Sequence, residues 1–354
     1  MSRRFRSAKA SGPESSEASP GPPAVIEVAG GAPIPDEPDD RAVTARVYGQ
    51  PTTFGTEPWW SSKGWWKASA DAEANDVQAH VGTLGPIAIA GVSVRGNKHR
   101  LRGEPNQDSF GVTVHRHDDT ESEHQGEEFA IVAISDGMGS AEHSHYSARM
   151  VAHHTLVMLR QEGKRHSFPD FIRTITTYEK EFLQELTRRT LEYRTHEFEA
   201  PGVSSTHLPL DSLQCTLTFA VVPRRPEADG TRRAFLGFVG DSPAFRLADG
   251  GWQPIEPAKD HEGLWSSSTQ GVLGATAMVT TELSLGPRDA LLLSSDGVGN
   301  FLMFNGAPTL LGHDLARRWE RPVGLHDYIR DVSFELQSAD DDRTAAMVWF
   351  CDEQ

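Results

Sequence analysis

Apolar positions in this chain repeat with two periods, and the switch between them marks out the elements. IAIAGVSV (87–94), SFGVTVHR (109–116) and EEFAIVAIS (127–135) read as strands. The last is an almost unbroken apolar run, as expected of a strand covered on both faces. Between 141 and 162 the spacing turns helical, with Ala148, Val151, Ala152, Thr155, Leu156 and Leu159 on one face. A second long helical stretch covers 168–195, and Ser167 is placed to cap it. Strands follow in quick succession at 213–222, 233–239, 243–248, 279–285 and 289–295. A helical stretch at 311–337 and a last strand at 343–351 close the chain. This order does not alternate strand with helix, so a doubly wound parallel sheet is excluded in favour of antiparallel sheets with segregated helices.

The pattern fades ahead of Pro86. Residues 46–85 are transitional and contain EPWWSSKGWWK, with Trp59, Trp60, Trp65 and Trp66. These tryptophans read either as a clamp holding a linker onto the globular body or as a docking peptide for a partner. Residues 1–45 hold seven of the 22 prolines amid Ser, Glu, Gly and Ala, a composition that cannot bury enough apolar area to offset chain entropy. The expected organisation is a disordered tail (1–45), a Trp-containing linker or docking segment (46–85) and a globular domain (86–354).

Composition narrows the function. Asp and Glu number 50 against 34 Lys and Arg in 354 residues, a net charge of −16. That argues against a nucleic-acid or anionic-membrane binder, which needs a basic stripe. No apolar run approaches the roughly 20 residues of a bilayer span, and no apolar segment follows the basic start MSRRFR, so a cytoplasmic location is expected. Cys215 and Cys351, both in apolar strand-like runs, read as reduced core residues. Any metal would then be taken by carboxylates, which means hard cations such as Mg²⁺ or Mn²⁺.

Aspartates recur at strand ends. Asp136-Gly137 ends AIVAIS, Asp296-Gly297 ends ALLLSS, Asp241 ends AFLGFVG, Asp108 precedes a strand, and Asp340–Asp342 lead into the last one. A single Asp-Gly is most simply a turn. Two copies of strand-Ser-Asp-Gly together with the other aspartates point instead to carboxylates converging on one place. Such a group stays ionised only around cations, and a binuclear Mg²⁺/Mn²⁺ centre that clamps a phosphoryl group accounts for it.

The ordered segments GNKHRLRGEPNQDS, AISDGMGSAEHS, DSLQCTLTFAVV, FVGDSPAF, LLLSSDGVGN and ADDDRTAAMVW resemble the PP2C (PPM) family of metal-dependent protein serine/threonine phosphatases, in its bacterial branch, over about 87–352. The resemblance implies an α+β fold, a PP2C-like β-sandwich of two antiparallel sheets with helices on both outer faces. It implies hydrolysis of phosphoserine and phosphothreonine by water activated at a Mn²⁺ or Mg²⁺ pair, with a phosphorylated protein, the product of a Ser/Thr kinase, as substrate. Asp136 then matches the aspartate bridging both metals, Gly137 the residue whose carbonyl ligates one, and Asp296 and Asp341 the remaining carboxylate ligands. Thr344 sets that last register, with Asp340 as the alternative. Asp108 matches an aspartate behind the metals, with Gln107 beside it. Asp211 matches a ligand to a third ion, and Asp241 a structural position.

Three positions depart from the family pattern. Gly103 stands at the offset of the phosphate-binding arginine, so Arg102 is the candidate, with Arg95 and Arg100 as alternatives and His99 near them. Met138 replaces a histidine that donates a proton to the leaving oxygen, so a water in the site would have to supply it. Pro243 follows Gly-Asp-Ser where arginine is usual, a change expected to alter a hairpin. His143 and His145 read as the exposed start of a helix, His153 and His154 as helix surface and core edge, and 258–276 as the place of a flap. The competing functional reading is a pseudophosphatase, a phosphoprotein-binding or scaffold protein on the same fold. The presence of Asp136, Gly137, Asp296 and Asp341 together favours an enzyme.

Overall fold

The computed structural model describes residues 76–115, 128–197, 209–255, 271–336 and 339–351, all within one compact unit, Thr44–Gln354. The tail, the tryptophan segment, residues 116–127 and most of the flap lie outside the described residues.

Two antiparallel sheets form the centre. One orders its strands β1 (Val77–Leu84), β2 (Ile87–Val94), β13 (Arg343–Phe350), β10 (Ala290–Ser294), β7 (Ala244–Ala248) and β8 (Gly251–Pro254). The other runs β3 (Ser109–His115), β4 (Phe129–Ser135), β5 (Leu217–Pro223), β6 (Arg232–Val239) and β9 (Val279–Leu285). A two-stranded hairpin, β11 (Met303–Phe304) with β12 (Ala307–Pro308), stands apart from both sheets.

The unbroken apolar runs are explained by what covers each face. Along β4, Ala130, Val132 and Ile134 join the cluster shared with Leu291, Leu293, Ala346 and Val348 of the other sheet. The intervening Phe129, Ile131 and Ala133 pack beneath α2 (Ser144–Gly163), α3 (Phe168–Thr177) and α4 (Glu179–Glu197). On the far side Ala290, Leu292, Ala345, Met347 and Trp349 meet α5 (Asp296–Leu302), α6 (Leu310–Arg318) and α7 (Leu325–Val332). A strand with both faces covered has no polar position to spare, and each fully buried Leu or Val contributes about 1.5–3 kcal/mol. The layers are therefore helix, sheet, sheet, helix, as expected.

Several local expectations are revised. A strand not expected ahead of Pro86, β1, pairs residue by residue with β2, from Val77 opposite Val94 to Leu84 opposite Ile87. As an edge strand with mostly exposed side chains it lacks the apolar signature of its neighbours. The 168–195 stretch is two helices that break at Tyr178, whose φ and ψ of −113° and 34° leave the helical region. Ser167 does cap the first of them, its Oγ accepting from Asp170 N at 3.4 Å. The helical region at 311–337 is likewise two helices, α6 and α7. Cys215 is buried but Cys351 is exposed, so only the former is a core residue. No helix among the described residues is long and apolar enough to cross a membrane.

Candidate functional site

The predicted site residues come from both sheets. Asp108 directly precedes β3 and Asp136 directly follows β4. From the other sheet, Asp296 opens α5 just after β10, and Asp341 sits two residues before β13. Asp296 N donates to Asp136 Oδ2 at 3.3 Å, closing the gap between the sheets.

Hydroxyl and amide side chains brace the segments that carry these aspartates. Asp136 N donates to Thr216 Oγ1 at 3.0 Å, Thr216 N donates to Asp136 O at 2.8 Å, and Ser135 Oγ donates to Thr216 O at 2.6 Å. Ser295, the matching serine of the second Ser-Asp-Gly, exchanges two bonds with Thr344: Ser295 N to Thr344 O at 2.9 Å and Thr344 N to Ser295 Oγ at 3.0 Å. Thr344 Oγ1 and Asn106 Nδ2 both donate to Ser93 Oγ, at 2.8 and 2.9 Å, and Asp108 N donates to Asn106 Oδ1 at 3.0 Å. Ser93, Asn106, Thr216 and Thr344 are thus positioning groups. Their place in the motifs was visible in the sequence, but which carboxylate each one braces was not.

The electrostatics are those of acids held together without a counter-charge. Burial, then the Asp342 carboxylate, pushes Asp108 up to about 8. Burial, Asp108 and Asp296 push Asp136 well above the usual carboxylate range. Burial, Asp341 and Asp241 raise Asp296. Among the described residues no Lys or Arg forms an ion pair with Asp108, Asp136, Asp296 or Asp341, and Asp108 Oδ2 is buried with no hydrogen-bond partner. Asp241, expected to be structural, is close enough to add to the field on Asp296.

Gly137 is buried and forms an isolated bridge with Cys215, which holds its backbone between Asp136 and Met138. Met138 N donates to Gln214 O at 3.1 Å and His143 N to Ser212 O at 2.8 Å, so the Asp-Gly-Met-Gly loop rests on the Leu210–Leu213 turn. Asp211 is exposed on that turn. Burial pushes the Cys215 thiol up to about 12, so it is no ligand. The donor set is all oxygen, carboxylates plus a carbonyl, and it lacks positive charge. It fits hard divalent cations such as Mn²⁺ or Mg²⁺.

The arginines are arranged differently from the aspartates. Arg102, last residue of α1 (Asn97–Arg102), is half exposed and pairs at 3.8 Å with Glu104. Arg95 is buried and lies 3.0 Å from Asp76, and Arg100 is 3.8 Å from the same carboxylate. None of the three is brought into contact with the four aspartates.

The family model for protein phosphatase 2C matches residues 95–326, more than half of the chain. The chain belongs to the protein phosphatase 2C family and is a protein serine/threonine phosphatase by class. No curated protein sequence matches it. Among solved structures, it is similar to the catalytic domain of the phosphatase PstP in complex with two manganese ions, with a TM-score of 0.46 and 17% identity over 78% of this chain and 100% of that one. PppA of Pseudomonas aeruginosa gives 0.45 and 17%, over 77% and 100%. MsPP of Mycobacterium smegmatis, in complex with cacodylate, gives 0.43 and 18%, over 74% and 97%.

Proposed function

We propose that this protein hydrolyses phosphoserine and phosphothreonine in proteins at a pair of Mn²⁺ or Mg²⁺ ions held by Asp136, the Gly137 carbonyl, Asp296 and Asp341. The observation that supports this reading is the convergence of partly buried carboxylates from two sheets, with no Lys or Arg paired to them among the described residues. When bound, such a pair of ions activates water and draws charge from the phosphoryl oxygens. The chain's own part is positional. Asp136, which accepts from Asp296 N of the other sheet's segment, would hold the ions together with Asp296 and Asp341. Asp108 stands behind it, its carboxyl pushed upward by burial and by the Asp342 carboxylate. Asp211, exposed beside the Gly137 loop, is placed for a third ion. Met138 has no proton to give, so the leaving oxygen takes its proton from solvent.

Metal removal is the direct test. Hydrolysis of a phosphothreonine peptide is expected to vanish after EDTA treatment and dialysis and to return with Mn²⁺. Undiminished turnover in the chelated protein contradicts the proposal. Peptide binding without turnover in the Mn²⁺-loaded protein supports a phosphoprotein-binding role instead.

Arg102 remains the candidate for holding the substrate phosphate, since its half-exposed guanidinium is free to leave the 3.8 Å contact with Glu104. Arg102→Ala is expected to raise KM for the phosphopeptide several-fold while kcat stays nearly constant. Unchanged kinetics beside a large defect in Arg100→Ala would move that role to Arg100.

A further inference from the structure

Asp342 has no role in the proposal above, yet it is the most deeply placed member of the Asp340–Asp342 run. Its side chain is 2% exposed, whereas Asp341 lies at the surface. Its two carboxylate oxygens accept from two backbone amides and lie beside a buried imidazole. Oδ1 accepts from Gly96 N at 2.5 Å. Oδ2 accepts from Gln107 N at 2.6 Å and lies 2.8 Å from His99 Nδ1. Gly96 is the N-cap of α1, His99 lies within that helix, and Gln107 is the residue before Asp108. A parallel backbone bond, Lys98 N to Asp340 O at 2.9 Å, ties the same helix to the same run. Asp342 N donates to Asp341 Oδ1 at 3.0 Å, which sets the neighbouring carboxylate directly.

We propose that Asp342, seated on His99, Gly96 and Gln107, is the positioning residue of this metal centre. It fixes the Asp341 carboxylate against Asp296 and the Gln107–Asp108 segment against Asp136. The division of labour follows from what each oxygen faces. Both Asp342 oxygens are engaged by the Gly96 and Gln107 amides. Asp341, one residue earlier, accepts from the Asp342 amide and is exposed, with lone pairs left for the site. His99 Nδ1, 2.8 Å from Oδ2, adds a close polar contact between the helix and the carboxylate beside the two amide bonds. The six-residue helix α1 therefore serves as a bracket for the metal-binding run.

This inference rests on the metal centre proposed above, and equilibrium Mn²⁺ binding separates the two. Free Mn²⁺ is measured by electron paramagnetic resonance in titrations of the chelated full-length protein. Asp342→Asn keeps the shape of the side chain and exchanges one acceptor oxygen for a donor. It is expected to weaken Mn²⁺ binding about 10–100-fold, the usual cost of losing a group that orients metal ligands. His99→Gln, which leaves both backbone donors in place, is expected to give a smaller loss in the same direction. Asp331→Asn is the control for mere destabilisation: Asp331 is equally buried, but its carboxylate binds Trp319 Nε1 and Arg318 Nη1. It is expected to lower Tm without changing Mn²⁺ affinity. Wild-type affinity in both Asp342→Asn and His99→Gln overturns the inference, as does a loss in Asp331→Asn equal to theirs. If Asp342→Asn does not fold, His99→Gln against Asp331→Asn decides alone. A wild-type protein that takes up no Mn²⁺ overturns the metal centre itself, and this inference with it.

Discussion

Asp136→Asn and Asp296→Asn are each expected to lower kcat by about a thousandfold or more, the equivalent of roughly 4 kcal/mol of transition-state stabilisation. In metal-free protein the same substitutions are expected to raise Tm. The two effects share a cause. Both carboxyl groups are pushed upward by burial first and by neighbouring acids second, Asp108 and Asp296 for Asp136, Asp341 and Asp241 for Asp296. A carboxyl group whose pKa is higher folded than unfolded costs nothing below its unfolded value of about 4. As pH rises above that value the unfolded chain ionises readily while the folded one resists, so stability is lost. Asparagine has the same size and no charge to desolvate. The gain in Tm should therefore be large at pH 8 and small near pH 4, and added Mn²⁺ should stabilise the wild type far more than either variant. Thermal melts of chelated and Mn²⁺-loaded protein at both pH values, beside single-turnover kinetics, read all of this. Retention of half the wild-type kcat, or a fall in Tm of the metal-free variants at pH 8, would remove that residue from the centre.

How much of this was legible beforehand differs by level. The strands of the sandwich interior could be read from sequence because both faces are covered: Phe129 to Ser135 carries no exposed position to interrupt the run. The edge strand β1 could not, because VQAHVGTL presents mostly exposed side chains and is held by backbone pairing to β2. Neither could the break at Tyr178, which no Gly or Pro marks. For the site, the position of Asp136 and Asp296 at the ends of buried strands was itself the signal. Contacts across the molecule were not, since Asp296 N reaches Asp136 and Gly96 N reaches Asp342 over separations of 160 and 246 residues. The bracing hydroxyls were hidden for another reason. Ser93, Thr216 and Thr344 look like ordinary strand residues until the partner is known, and the family register used Thr344 only as a marker. His99 was noted for its nearness to the arginines, while its partner proves to be Asp342 at 2.8 Å.

Gly297→Ala is expected to lower kcat/KM about a hundredfold, the scale of a displacement of roughly 1 Å at a catalytic group. Read from sequence, a glycine after a strand-end aspartate gives a ligand access to the backbone. At Gly297 the structure supplies a different reason, because a Cβ there would overlap the Asp342 carbonyl oxygen and lie 3.0 Å from its carbon. Those are backbone atoms at the entrance to β13, so no side chain can rotate out of the way. The clash must be relieved by separating the first turn of α5 from the Asp341–Asp342 segment. That motion parts Asp296 from Asp341, and the proposed centre needs both carboxylates held to within about 0.5 Å. Weaker Mn²⁺ binding and a Tm lower by several degrees should accompany the loss of activity. Gly251→Ala supplies the comparison: a Cβ at Gly251 meets only the Ala248 carbonyl at 3.9 Å, so neither activity nor Mn²⁺ affinity should change. Wild-type kcat/KM in Gly297→Ala would mean that α5 and the approach to β13 move apart without harm, and that Asp296 and Asp341 do not act on the same ion.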